Sequence, residues 1–164
     1  MRISVQRVNE ASVTVLNELG TLDPTFDLQQ IGPGLLLTVE ADPTDNDDTI
    51  STMANRILTL RCFNNLQNPL PQSIQEIRGE ILSIPQPFIS MHRPATGRPC
   101  PIAKDADSEH ANLTWIRFNE ALRSGNVPVF EGRYGARMRI GSVADGPFQF
   151  TLTSDKPKNH HHAA

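Results

Sequence analysis

The first predicted strand carries an arginine on a face that otherwise looks buried. Arg7 alternates with Ile3 and Val5, so the three side chains point to the same side of the strand. A guanidinium in such a place requires an acceptor, either a carboxylate or a backbone carbonyl. We therefore expect a polar partner for Arg7 from another part of the chain.

A second unusual segment follows the predicted strand over residues 80–84, which runs directly into Pro85-Gln86-Pro87. Proline has no N–H to donate to a neighbouring strand, so two prolines at a strand end stop the hydrogen-bond ladder. Some group other than another strand must face the backbone at Gln86.

The common catalytic motifs are absent from the sequence. It has no nucleophile elbow, P-loop, dinucleotide-binding fingerprint or His-Glu-x-x-His pair. Outside the tail, the histidines are His92 and His110, and nothing pairs either with a nucleophile. Cys62 and Cys100 are far apart and form no Cys-x-x-Cys motif, and we expect no disulfide, metal or cofactor.

The composition is that of a globular protein, and we expect the protein in the cytoplasm because Met1–Val5 alternates like a strand and lacks a signal-peptide core. The 164 residues are 38% hydrophobic and 20% charged, with a net charge of −3 and no apolar stretch long enough for a membrane helix. The acidic balance argues against a broadly basic nucleic-acid-binding surface. Any contact with RNA would be local, and its candidate residues otherwise form ordinary solvated faces. These candidates are Arg93, Arg98 and Lys104, and a second group of Arg133, Arg137 and Arg139.

Hydrophobic periodicity predicts an α/β fold, a mixed sheet with two main helices packed on it. The strands are expected at 2–8 and 11–16, joined by an Asn9-Glu10 turn, then at 34–39, near 60–63, and at 80–84, 127–134, 136–140 and 148–153. The helices are expected near 45–58 and 108–124. The region 1–154 is predicted to form one domain, followed by a disordered polar tail over 155–164 that contains three consecutive histidines.

Several motifs, in order, resemble those of the D-aminoacyl-tRNA deacylases. The N-terminal run to Val15, the segment Ile31 to Leu36, the passage Asn55 to Arg61, the run Gly132 to Met138 and Asp145-Gly146-Pro147 all match. The resemblance covers about residues 2–154, with an insertion near 17–30.

The resemblance implies a three-layer β/β/α homodimer with its active site at the subunit interface, acting on aminoacyl-tRNA. Each subunit would insert its Gly146-Pro147 segment, usually a cis peptide supported by Arg7, into the other subunit's pocket. The backbone there would exclude L side chains and admit a D-amino acid or glycine. The catalytic positions carried over are Gln86, Pro87 and Phe88, which follow Pro85. The ester would be hydrolysed with help from backbone amides and the terminal ribose hydroxyl rather than a side-chain nucleophile.

Two differences from the family pattern leave alternatives open. The family's Ser-Gln-Phe-Thr-Leu motif is here Pro85-Gln86-Pro87-Phe88-Ile89, so an amide donor at Pro87 is lost or shifted to Phe88. Pro85-Gln86 and Phe148 resemble the animal tRNA deacylases, a sister group in which the Gly-Pro bond is trans and L-alanine is removed from mischarged tRNA. The other alternative is a catalytically impaired member of the fold that binds RNA or protein.

Overall fold

A computed structural model describes residues 1–64, 70–87, 90–92, 100–102 and 108–154. The strands are β1 (Arg2–Leu16), β2 (Gln29–Ile31), β3 (Gly34–Glu40), β4 (Glu80–Pro85), β5 (Ser90–His92), β6 (Cys100–Ile102), β7 (Val129–Glu131) and β8 (Arg137–Thr153). The helices are α1 (Asp47–Leu58) and α2 (Ser108–Arg123). The expected tail, 155–164, lies outside the described residues, as do Arg93, Arg98 and Lys104.

The main sheet has mixed strand directions, as the sequence predicts. Its order is β2-β1-β3-β4-β7, with β8 also paired to β1. The pairs of β1 with β2, β3 and β8 are antiparallel, whereas β3–β4 and β4–β7 are parallel. The two short strands β5 and β6 pair separately. The expectation of a mixed sheet with two helices is confirmed.

The apolar run at β3 is buried on both faces, as its lack of alternation predicts. Leu35, Leu37 and Val39 belong to a core cluster that also includes residues of α1 and α2. Leu36 belongs to a second cluster, with Leu82 of β4 and other residues from β1 and β2. Strand β3 therefore separates two cores.

Helix α1 begins and buries its stripe as the sequence predicts. The Asn46 side chain accepts a hydrogen bond from the Thr49 N–H at 2.9 Å, capping the helix. Its buried residues repeat with helical spacing and face the first core: Ile50, Met53, Ala54, Ile57 and Leu58. In α2, the buried Trp115 donates its indole N–H to Ser83 Oγ at 2.9 Å, which satisfies two polar groups inside the core.

Four local predictions are wrong. Asn9-Glu10 is not a turn, because β1 runs continuously and its pairing to β8 shifts register at that point. The strands expected at 136–140 and 148–153 are one long strand, so Gly146 lies inside β8. The region near 60–63 contains only an isolated bridge at Phe63, and the short strand β2 was not predicted. The strand expected over 127–134 is shorter, limited to β7.

Among the described residues, no helix is long and apolar enough to cross a membrane.

Candidate functional site

Arg7 is the centre of a compact polar cluster. Its Nε donates to the carbonyl oxygen of Asp145 at 3.1 Å, and the same nitrogen lies 3.0 Å from the carboxylate Oδ2 of Asp145 in an ion pair. One of its terminal nitrogens donates to the carbonyl of Cys62. Its guanidinium carbon lies 5.2 Å from the centroid of the Phe148 ring, in cation–π geometry. The Arg7 side chain is only 14% exposed, and it has both kinds of acceptor that its burial requires.

The register of β1 against β8 explains why the chain protrudes at this point. Gln6 pairs with Gln149 and Val8 pairs with Ala144, so residues 145–148 of β8 lie opposite Arg7 alone. The extra length of β8 must bulge out of the ladder. Pro147 suits such a bulge because it has no N–H to leave unpaired.

The tip of this bulge is an exposed stretch of backbone. The Gly146-Pro147 peptide bond is cis, and both residues are exposed. Gly146 has φ +149°, which L side chains rarely adopt, and a Cβ there would lie 2.4 Å from the Phe148 nitrogen. Only glycine fits this conformation without a shift of the backbone. At Gly146 the tip therefore exposes main chain with no side chain over it.

The other predicted site segment, residues 85–88, begins at the last residue of β4. Pro85 is buried, Gln86 is half-buried and Pro87 is exposed, whereas Phe88 lies outside the described residues. The backbone N–H of Gln86 donates to the Val39 carbonyl of β3 at 2.8 Å. The expectation that the ladder stops at the prolines and that no strand faces Gln86 is therefore wrong, because pairing with β3 continues past Pro85 to the N–H of Gln86. The amide N–H of Gln86 is thus engaged and Pro87 has none, so neither is free to donate to a substrate.

The Gln86 side chain is also held within the chain. Its Nε2 donates to Glu40 Oε1 at 2.9 Å, and the other carboxylate oxygen of Glu40 accepts from Arg2 at 3.1 Å. These contacts fix Gln86 beside the last residue of β3. They position the start of the segment that follows.

One chain does not bring the two predicted site segments together. Pro85 aligns with Val39 of β3, which aligns with Ile3 of β1, whereas Gly146 lies opposite Arg7 on the far side of β1. Three strand spacings and about four residues along the strands separate the two segments, on the order of 20 Å. The register therefore holds Gln86 and Gly146 of a single chain apart.

Other candidate side chains lie elsewhere. His110 Nε2 is 3.4 Å from Thr114 Oγ1, one turn further along α2. Burial raises the pKa of the Cys62 thiol to about 11, so the thiol stays protonated at neutral pH. Within the described ranges, no group of three His, Cys, Asp or Glu residues could hold a metal ion.

Sequence reasoning missed two members of the Arg7 cluster, the Phe148 ring and the Cys62 carbonyl. An aromatic residue next to Gly-Pro was a usable signal for Phe148. The Cys62 carbonyl carries no sequence signal, because any residue has a carbonyl and only the fold places this one.

Comparisons with known proteins give a consistent result. The family model described as D-Tyr-tRNA(Tyr) deacylase matches residues 4–153. A protein of Bifidobacterium longum subsp. infantis named D-aminoacyl-tRNA deacylase is 51% identical over 157 residues, covering 94% of this chain and 95% of that protein. One of Deinococcus radiodurans with the same name is 36% identical over 152 residues, covering 93% and 99%.

Two solved structures share the fold. One, described as the c-Myc DNA Unwinding Element Binding Protein, has a TM-score of 0.71 and 26% identity, covering 95% of this chain and 100% of that one. The other, described as a probable eukaryotic D-amino acid tRNA deacylase, has a TM-score of 0.69 at 16% identity, covering 92% and 97%. The second likeness shows the fold alone.

Proposed function

The chain belongs to the D-Tyr-tRNA(Tyr) deacylase family, and we propose that it hydrolyses the ester between a D-amino acid, or glycine, and the 3′-terminal adenosine of tRNA. Water adds to the ester carbonyl, the bond from that carbonyl to the ribose oxygen breaks, and the free amino acid and the ribose hydroxyl are released. The observation that carries the proposal is the Arg7 cluster, which fixes Gly146-Pro147 from both sides.

Arg7 holds the residue before the Gly-Pro pair and the residue after it. Its hydrogen bonds go to Asp145 and its cation–π contact to Phe148, which also packs against the first core. With both flanks fixed, the exposed backbone of Gly146 and Pro147 is a rigid wall. A wall of main chain facing the substrate's α-carbon would exclude an L side chain by collision and leave room for a D side chain or a hydrogen.

The reaction in this proposal uses backbone donors rather than a side-chain nucleophile. Because the Gln86 amide is bonded to Val39 and Pro87 has no amide, the oxyanion donor is assigned to the N–H of Phe88. Gln86 is a positioning residue, held through its contacts with Val39 and Glu40. The ribose hydroxyl next to the ester assists the attack of water.

The proposal requires two copies of the chain. Since the register separates Gln86 from Gly146 within one chain, a complete site needs Gly146-Pro147 of a second subunit beside the β4 end of the first. Strand β8 is long and exposed and carries Ile140, a residue that is 44% exposed. Exposed apolar side chains on a long strand suit burial against another subunit.

The test is a deacylation assay with paired D- and L-aminoacyl-tRNAs. We expect release of D-tyrosine and glycine and retention of L-tyrosine. Gly146→Ala should lower kcat/KM for the D substrate by at least about tenfold, because strain and the clash with Phe148 displace the wall. Gly20→Ala is the matched control. Gly20 also has a positive φ, but a Cβ there meets nothing within 4 Å.

Two other outcomes would overturn the proposal. Preferential release of L-alanine from mischarged tRNA would assign the chain to the alternative editing activity. Binding of tRNA without turnover of any substrate would support the catalytically impaired alternative.

A further inference from the structure

Most arginines of the described residues are engaged within the chain, but two neighbours on β8 are not. Hydrogen bonds or ion pairs hold Arg2, Arg7, Arg56, Arg61, Arg117, Arg123 and Arg133. In the described part of the chain, neither the Arg137 nor the Arg139 side chain has a hydrogen bond or ion pair, and both residues are exposed. Of the three arginines that the sequence predicts as one candidate group, Arg133 is held by contacts within the chain, whereas the side chains of Arg137 and Arg139 are not.

Arg137 and Arg139 lie on the same face of a two-stranded ribbon. Arg139 pairs with Thr14 and Arg137 with Leu16 of β1, and the next pair along is Gly141 with Ser12. The opposite face of this ribbon carries Ala11, Val13 and Met138, which pack on the second core. The arginines therefore point outward, away from that core.

The outward face carries two positive charges, those of Arg137 and Arg139. The cross-strand neighbours of the two arginines are a hydroxyl and an aliphatic side chain, with no carboxylate directly opposite. Along β1, Glu10 is the nearest acidic residue, paired with Val143 about 13 Å from Arg139. Glu18 and Asp23 line a cavity together with Arg137, but Asp23 is paired with Arg133 and neither carboxylate forms an ion pair with Arg137. The Cα atoms of the two arginines lie about 7 Å apart along the strand, and their like charges repel one another unless an anion lies between or over them.

We propose that Arg137 and Arg139 bind consecutive phosphates of the tRNA backbone, an inference that rests on the proposed function. Their spacing suits two phosphates of one nucleic-acid strand, and guanidinium is well matched to phosphate. The same strand carries Gly146-Pro147 about 23 Å away. Strand β8 thus holds both the selectivity element and a docking surface for the body of the substrate.

The experiment compares two substrates that share the ester and differ in phosphates. One is D-tyrosyl-tRNA, and the other is adenosine carrying D-tyrosine on its ribose, with no phosphate. For the double variant Arg137→Gln/Arg139→Gln we expect a KM for tRNA about tenfold higher, an unchanged kcat, and no change on the nucleoside substrate. The ratio of variant to wild-type KM should shrink by about sevenfold between roughly 50 and 200 mM salt, because two phosphate contacts are lost.

Arg78→Gln is the control, since Arg78 is also exposed and its side chain has no partner among the described residues, but it lies in the turn before β4. It should leave the KM for tRNA and its salt dependence as in the wild type. An equal loss in this control, or an unchanged KM in the double variant, would overturn the phosphate site. A change in mass of the double variant by light scattering would also overturn it, because the arginines would then be subunit contacts. Failure of the wild type on both substrates would instead refute the proposed function.

Discussion

Two arginines of this chain build nearly the same cluster in two different places. Arg7 and Arg133 each bind an aspartate carboxylate and a backbone carbonyl, and each lies 5.2 Å from the centroid of a phenylalanine ring. The Arg7 side chain is 14% exposed and that of Arg133 is 38% exposed. The chemistry is shared, and burial and topology differ.

The difference lies in what each cluster connects. Arg7 joins β1, the segment after α1 and the bulge of β8, whereas Arg133 fastens the loop around Asp23 to the chain before β8. Hydrogen bonds from Thr25, with Arg133 nearby, hold the pKa of Asp23 below its ordinary value. Asp23 is charged at neutral pH with or without this shift, so the Arg133 cluster does not change its charge there. The contacts of Arg133 stabilise a surface loop. The Arg7 cluster couples the core to the candidate site.

The largest effect is expected from Arg7→Lys. A lysine ammonium cannot donate in the fixed directions that reach Asp145 and Cys62 together, and it stacks less well on Phe148. We expect kcat/KM for D-tyrosyl-tRNA to fall by about 100-fold, with a loss of about 2 kcal/mol in the free energy of unfolding. Deacylation kinetics and urea unfolding measure the two effects. Near-normal activity would show that Gly146-Pro147 holds its shape without Arg7.

A smaller effect is expected from Arg133→Lys, which makes the same chemical change in the more exposed cluster. The loop over residues 17–28 should exchange its amide hydrogens faster, since the contacts to Asp23 and Thr25 weaken. Deacylation should stay within about twofold of the wild type, because exposed ion pairs contribute little. If this variant loses as much activity as Arg7→Lys, the distinction between the two clusters is wrong.

The two clusters also show how far sequence reasoning reaches. The need of Arg7 for an acceptor, the capped helix α1 and the doubly buried β3 follow from local patterns, and the structure confirms them. The bulge at Gly146 does not, because it depends on which residues of β8 pair with β1. An alternating pattern predicts a strand but leaves its register open, so β8 was divided into two strands at the point where it bulges. The separation of Gln86 from Gly146 depends on the same register, so local sequence patterns do not predict it either.

The smallest effect concerns the Cys62 thiol, which tests whether the region around Arg7 is closed to water. Burial raises its pKa from 9.0 to about 11, although the charge of Arg7 acts in the opposite direction. The folded chain therefore retains a proton that the unfolded chain releases near pH 9, so this stabilisation is complete below that pH and declines as the pH rises toward 11. The melting temperature of the wild type should fall more steeply over this interval than that of Cys62→Ala.

At about pH 8, iodoacetamide should leave the Cys62 peptide unmodified in mass spectra until the protein is unfolded. Rapid modification of the native protein would place the thiol in water and remove the contrast in burial between the two clusters.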